Sequence, residues 1–340
     1  MTDIEIVEFL KNYNGPDVSL MEICGSHTAA IVKSGIRSFL SPHIHMVSGP
    51  GCPVCVTVTS YIDRLIALSE EPGNVICSFG DLLRVPGSRG TLEEAKARGG
   101  DIRMLYSPLD MLEQAAKDGL HNYIFAAVGF ETTAPVYAAL LENAGKDGIS
   151  NIKLLTSLKT MPEVVKRIGG RMDGYLLPGH VCTVTGCGLY EPIAADIGTP
   201  MVAAGFDAGN ILHAVFALVK LRGKGVVKNF YPSVVTVEGN KKALKAMDRF
   251  FEAGDASWRG LGMLENSGLY LRREFGDFDA GSSDLTEDRE NAGCHCSKVI
   301  TGEEKSMDCP LFGSICTPSA PKGACMVSRE GACFNEFINR

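Results

Sequence analysis

YIFAAVGFETTAPVYAALLENA, Tyr123–Ala144, reads as a strand, a turn and a helix in one line. Tyr123–Val128 is apolar and β-rich at every position, as expected of a strand buried on both faces of a parallel sheet. Gly129–Thr133 is a polar, glycine-led loop, and Pro135 opens a helix that runs to Ala144. The same sentence recurs along the chain. Strand-like runs fall at His45–Ser48, Asn74–Phe79, Ile102–Tyr106, Ile152–Ser157, Gly174–Leu177 and Met201–Ala204. Helical patterns lie between or after them at Ser60–Leu68, Pro108–Asp118, Pro162–Ile168 and Asn210–Arg222. Strands alternating with amphipathic helices predict an α/β protein with parallel sheets covered on both faces. The expected organisation is two parallel-sheet α/β domains and a small cysteine-rich C-terminal domain. The first, 1–120, carries Cys24 and the CPVC loop. The second spans 121–280, with the chain returning to the first after about residue 205, and the third spans 281–340. Glu274–Asp288, acidic and rich in Gly and Ser, reads as the linker before it.

The chain has 340 residues, 45% of them hydrophobic, so it can bury a core and is not disordered overall. A net charge of -7 argues against a general nucleic-acid binder. The first residues show no basic segment followed by an apolar one, and no run reaches membrane-helix length, so the expectation is a cytoplasmic protein with no membrane partner. In that compartment 12 cysteines point to metal or redox chemistry in preference to structural disulfides.

Ligands of open α/β sheets bind at the carboxyl ends of the strands, and the motifs sit in such loops. Gly49-Pro50-Gly51-Cys52-Pro53-Val54-Cys55 follows a strand and precedes a helix. A helix N-terminus there would favour a thiolate, which both soft metals and disulfide exchange require. Cys24-Gly25-Ser26-His27 is either a nucleophile beside its base or one more thiolate and an imidazole for the Cys52/Cys55 pair. A buried cysteine at a helix start is the plain alternative. Glu131 in the 129–135 loop and His180 in Pro178-Gly179-His180-Val181 are candidates for proton handling at the sheet edge. Cys77, Cys182 and Cys187 have no metal-ligand spacing.

The last 47 residues hold Cys294, Cys296, Cys309, Cys316, Cys325 and Cys333 among short Gly and Pro turns. Such a tail cannot build its own core and needs a staple. The spacing lacks the paired C-x2-C knuckles usual for zinc and suits a four-thiolate iron–sulfur cluster, with two thiols left over. A structural zinc tail is the alternative.

Taken together, CGSHT at Cys24–Thr28, GPGCPVCVT at Gly49–Thr57, GFETTAP at Gly129–Pro135, PGHV at Pro178–Val181 and the six-cysteine tail resemble the HypD family across essentially the whole chain. The family pattern Cys-Gly-x-His-x-His is broken here by Ala29 at the second histidine, while Cys24 and His27 are kept. The resemblance implies a maturation factor for the iron centre of [NiFe] hydrogenases, monomeric alone. It implies a complex with HypC, on which iron receives cyanide and carbon monoxide, and cyanide delivery from HypE as a thiocyanate. It further implies iron at Cys52 and Cys55 and an essential Cys24 with His27 nearby, while Glu131 and His180, read from their loops alone, complete the expected catalytic set as proton donors or orienting groups. In the tail it implies a [4Fe-4S] cluster on Cys294, Cys309, Cys316 and Cys333, with Cys296 and Cys325 as a redox pair. The competing reading of the residues alone is a stand-alone iron–sulfur-linked thiol–disulfide oxidoreductase.

Overall fold

The computed structural model describes residues 2–289 and 291–339. Its strands are β1 (Val18–Glu22), β2 (Ile44–Ser48), β3 (Asn74–Ser78), β4 (Ile102–Met104), β5 (Asn122–Gly129), β6 (Ile152–Lys159), β7 (Gly174–Leu177), β8 (Met201–Ala203), β9 (Val227–Asn229), β10 (Phe251–Trp258) and β11 (Gly262–Leu271). They form two sheets. The first, in order β2-β1-β7-β8-β9, is parallel throughout. The second, β10-β11-β6-β5-β3-β4, is parallel from β6 to β4 and ends in an antiparallel β10–β11 hairpin. The expected α/β class is therefore observed, with two mostly parallel sheets and a cysteine-rich C-terminal region.

The strands are where hydrophobic continuity put them. All of β5 after Asn122 is buried, as is all of β7. Each sheet is covered on both faces, which accounts for the four apolar clusters. The helix Ala134–Asp147 covers one face of the second sheet and Thr59–Glu70 the other. Ala208–Lys220 covers one face of the first sheet. Its other face shares a cluster with Trp258 of the second sheet and with Cys296, Cys325 and Cys333 of the tail. That cluster joins all three parts.

The sheets do not follow a cut at residue 120. β3 and β4 lie before that point but belong to the sheet of β5, β3 pairing with β5 and β4 with β3, and the chain is already back in the first sheet at β7, well before residue 205. Strand pairing is a long-range choice, so local pattern alone could not assign it. The Glu274–Asp288 segment is also not a free linker. Ala280 N–H donates to Leu154 O, Ser282 Oγ accepts the Thr156 N–H at 2.8 Å, and Asp288 accepts from Thr59. Its short polar side chains give the second sheet and the start of the 59–70 helix hydrogen-bond partners that they would otherwise lack.

Candidate functional site

Strand order decides where the site falls. In the first sheet β1 is followed on one side by β2 and on the other by β7, so the chain leaves the β1 and β7 carboxyl ends in opposite directions. A crevice forms at such a switch point. Cys24 follows β1 there and His180 follows β7. The second sheet has its own switch between β3 and β5, where Asp81 and Glu131 emerge. The Cys52–Cys55 loop lies on the chain between the sheets, after β2 and before the helix Thr59–Glu70.

The Cys24 and Cys52 loops touch through their backbones. Gly25 N–H donates to Gly51 O at 3.0 Å, and a Cβ on Gly51 would stand 2.2 Å from the Cys24 nitrogen. Only glycine permits that approach. Cys52 and Cys55 form a disulfide, both nearly inaccessible. The expected helix N-terminus is not where they sit. The helix begins at Thr59, and Cys52–Val56 forms a separate turn closed by Val56 N–H to Cys52 O. Val54, Val56, Thr57, Val58 and Thr59 are a β-branched run that resists helix until a second turn can be packed. The local donor to sulfur is instead the Cys55 N–H, 3.1 Å from Cys52 Sγ.

Cys24 caps the helix Gly25–Lys33, yet burial pushes its thiol up to about 12, and the Glu330 and Glu22 carboxylates add to the rise against the N–H groups of His27 and Ser26. Desolvation outweighs the helix terminus, so the group is a protonated thiol at neutral pH. Glu22, fully buried, accepts from Thr28 Oγ1 at 2.5 Å and from the Cys24 N–H at 3.1 Å, and burial raises it to about 7. His27 lies against Gly205 O through Nε2 at 3.1 Å, and burial lowers it to about 4, so the ring is neutral and donates there. Its Nδ1 has no hydrogen-bond partner. Phe206 lies between His27 and His180, with ring centroids at 4.6 and 4.1 Å. Ser26 Oγ stands 3.4 Å from His180 Nδ1 and 3.2 Å from Glu330 Oε1.

Glu131 is placed deeper. Its Oε1 accepts the Met161 N–H at 2.9 Å, at the start of the helix Met161–Ile168, while burial raises it to about 7. Cys182 is fully buried in the apolar cluster shared by the two sheets and the tail, and burial raises its thiol, with Cys187, Glu131 and Cys24 adding to the rise. Cys77 fills the core of β3, as an apolar strand position should.

The tail closes over both carboxyl edges. A Cβ on Gly25 would come 2.3 Å from Glu330 Cβ, Ser328 Oγ donates to Asp81 Oδ2 at 3.3 Å, and Cys55 Sγ stands 3.9 Å from Ala324 O. The six tail cysteines line one cavity with Phe312, Gly323 and Met326. Among the described residues no three His, Cys, Asp or Glu side chains converge as on a single metal ion. The thiols ring a shared space instead. Cys296 is in hydrogen-bond contact with Cys294 and Cys325, and Cys325 also with Cys333. Those contacts hold Cys296 well below the usual thiol range and push Cys294 and Cys325 above it. Cys316 Sγ accepts the Lys322 N–H at 3.2 Å, the kind of donor that steadies a thiolate. A Cβ on Gly323 would stand 2.8 Å from Cys294 Sγ, so the wall is glycine where the sulfurs need room. The donor set and the cradle fit a multi-thiolate cluster.

The structure thus brings Cys24, His27 and His180 together beside the Cys52–Cys55 loop and leaves Glu131 behind them. It adds Glu22, Asp81 and Glu330, which the sequence reading passed over. An acid closing a short strand-like run two residues before Cys24, and the Gly80-Asp81 step after β3, were the available signals.

The family model described as "HypD: Hydrogenase formation hypA family" matches residues 4–339. The chain is 40% identical over 332 residues to "Hydrogenase maturation factor HypD" of Rhodobacter capsulatus, covering 93% of this chain and 88% of the relative. It is 40% identical over 330 residues to the Azotobacter vinelandii protein of that name, covering 92% and 87%. It is 39% identical over 324 residues to that of Escherichia coli strain K12, again covering 92% and 87%. With whole-length matches and the motif residues gathered at the sheet edges, the chain belongs to the HypD family of hydrogenase maturation factors.

Proposed function

We propose that this chain is a scaffold and redox factor for assembling the Fe(CN)2CO centre of [NiFe] hydrogenases, binding iron at Cys52 and Cys55 with HypC and accepting cyanide from HypE. In this reading it is a cytoplasmic protein, monomeric until it meets those partners. The observation that carries the reading is the seating of the tail on the iron-handling loops: Ala324 O is 3.9 Å from Cys55 Sγ and is followed directly by Cys325, in the six-cysteine cavity. Thiol chemistry in the cavity and at Cys52–Cys55 is therefore adjacent.

The disulfide cannot bind iron. Two electrons and two protons convert it to two thiols, which lose their protons as they ligate Fe(II). Cys294, Cys309, Cys316 and Cys333 would hold a [4Fe-4S] cluster, which would supply electrons one at a time. Cys296 and Cys325, in contact, serve as the two-electron pair. A thiocyanate on HypE and two thiols give a HypE thiol, cyanide, a disulfide and one proton. Beside those two thiols, His27 is a neutral ring, Glu22 is buried, and Cys24 waits as a protonated thiol. His180, exposed and bonded toward Ser26, and Glu131, near Cys182, are the proposed proton-handling groups.

The Cys52–Cys55 disulfide also suits the stand-alone oxidoreductase reading, but both sulfurs are buried at 4% and 2% exposure, a poor match to generic protein disulfides. The test is Cys52→Ala in the co-purified HypC complex. Loss of iron and of the cyanide and carbon monoxide infrared bands, with the visible cluster absorption retained, is expected. Unchanged infrared bands would overturn the proposal.

A further inference from the structure

Lys159 closes β6, and the fold buries it to 3% exposure. Among the described residues its Nζ makes one hydrogen bond, to Ser257 O at 2.6 Å, and lies 5.4 Å from the centre of the Trp258 ring. An ammonium carries three N–H donors, so two have no protein acceptor. The carboxylate that acts on it, Asp288, is already engaged by Arg259 at 3.2 Å and by the Thr59 N–H and hydroxyl. Two buried cations therefore face one acid. Burial lowers the Lys159 amine to about 7 against the pull of Asp288, as expected of a charge without its own counterion.

The residue borders a cavity of about 20 Å³, room for a water or a small ion. Its walls bring Thr156, Ser157, Ser257 and Ser282 together with Val58 and Tyr61. The buried Thr156 Oγ1 has no hydrogen-bond partner. The cavity exists because the edge of β6 changes partner there. Leu158 and Lys159 pair with β11, whereas Ala280 and Ser282 cover Leu154 and Thr156, and the step between the two is not filled. It backs on the thiol loop: Val58 of its wall follows the Cys52–Val56 turn, Ser157 Oγ stands 3.5 Å from Thr57 Oγ1, and Arg259 N–H donates to Val56 O at 2.9 Å.

We infer that this cavity is a binding site for a small monovalent anion, held by the two free N–H groups of Lys159 and by the Thr156 hydroxyl. The identity of the anion rests on the assembly reading, in which it is cyanide. Cleavage of the HypE thiocyanate by two thiols yields cyanide and one proton. An amine that takes the proton becomes the ammonium that pairs with the cyanide, so the site accepts both products.

The probe is azide, a monovalent anion that leaves disulfides intact, and binding to the wild-type chain is measured by calorimetry. Lys159→Met, of similar length and apolar, is expected to weaken binding ~10-fold or more, and Thr156→Val about 5-fold, both with unchanged circular dichroism. Cyanide, added to the Cys52→Ala chain, which lacks the Cys52–Cys55 disulfide it would cleave, should displace azide more effectively than chloride does. Absence of azide binding in wild type, or equal binding by Lys159→Met, would show that the cavity takes only water and would overturn the site. Displacement by chloride as effective as by cyanide would overturn the cyanide assignment in favour of a halide. The azide measurement needs neither HypC nor iron. If the infrared test on Cys52→Ala fails while azide still binds through Lys159, the assembly reading falls and the anion site stands.

Discussion

Glu131 shows how one residue can be found by pattern and placed only by packing. The GFETT loop marked it as an acid at a strand end, and the fold buries it, with Oε1 on the Met161 N–H and Oε2 without a hydrogen-bond partner. Burial raises it from 4.5 to about 7, so between those values the folded state holds a proton that the unfolded state has lost. Stability from this group is full below pH 4.5 and is lost as pH rises through 7. Glu22, also raised to about 7, acts in the same direction. A shift of this size corresponds to at most about 3 kcal/mol per group. Glu131→Gln should therefore make the denaturation midpoint fall less, or rise more, between pH 4.5 and 8 than it does in the unsubstituted chain. An unchanged slope would mean that Glu131 is ionised in the fold. Glu22 and Asp81 carried only the weaker signals of an acid at a strand end, and Glu330 carried none, because the contacts of Asp81 and Glu330 are made across the fold between the sheets and the tail.

At the scale of elements, hydrophobic runs located β2 to β8 within a residue or two, whereas β1, β9 and the β10–β11 hairpin went unread. β10 and β11 are half exposed and interrupted by glycines, so neither continuity nor clean alternation marks them. The acidic 274–288 segment looked like solvent-facing chain for the same reason: its polar groups serve other elements. Asp288 Oδ1 accepts the Thr59 N–H at 3.1 Å and Thr59 Oγ1 at 3.0 Å, and pairs with Arg259 at 3.2 Å. Asp288→Ala removes the acceptor and is expected to cost ~1–3 kcal/mol. Hydrogen exchange at Thr59–Tyr61 should accelerate, and unaltered protection there would show that the helix start needs no clamp.

In the whole molecule, three parts share one apolar cluster, and the tail is the piece that closes it. Gly25 is the contact that measures this closure, since a Cβ there would meet the Glu330 backbone oxygen at 2.8 Å as well as its Cβ at 2.3 Å. Gly25→Ala should lift residues 324–331 from the first sheet while leaving both sheets formed. The expected readout is faster exchange in that tail segment and easier reduction of Cys52–Cys55 at unchanged far-ultraviolet circular dichroism. Protection equal to wild type would show that the tail is held elsewhere.

The amino-acid sequence by itself determined the element type, the α/β class, the motif loops and the six-thiol tail, because burial on both faces, glycine-led turns and cysteine spacing are all local properties. Only the tertiary structure decided which strands share a sheet, that the Cys52–Cys55 turn stands clear of its helix, and that the tail lies across two switch points. Those outcomes are set by long-range pairing and by desolvation, which raises the Cys24 thiol to about 12 despite its place at a helix N-terminus. No window of sequence contains the atoms that exclude the water.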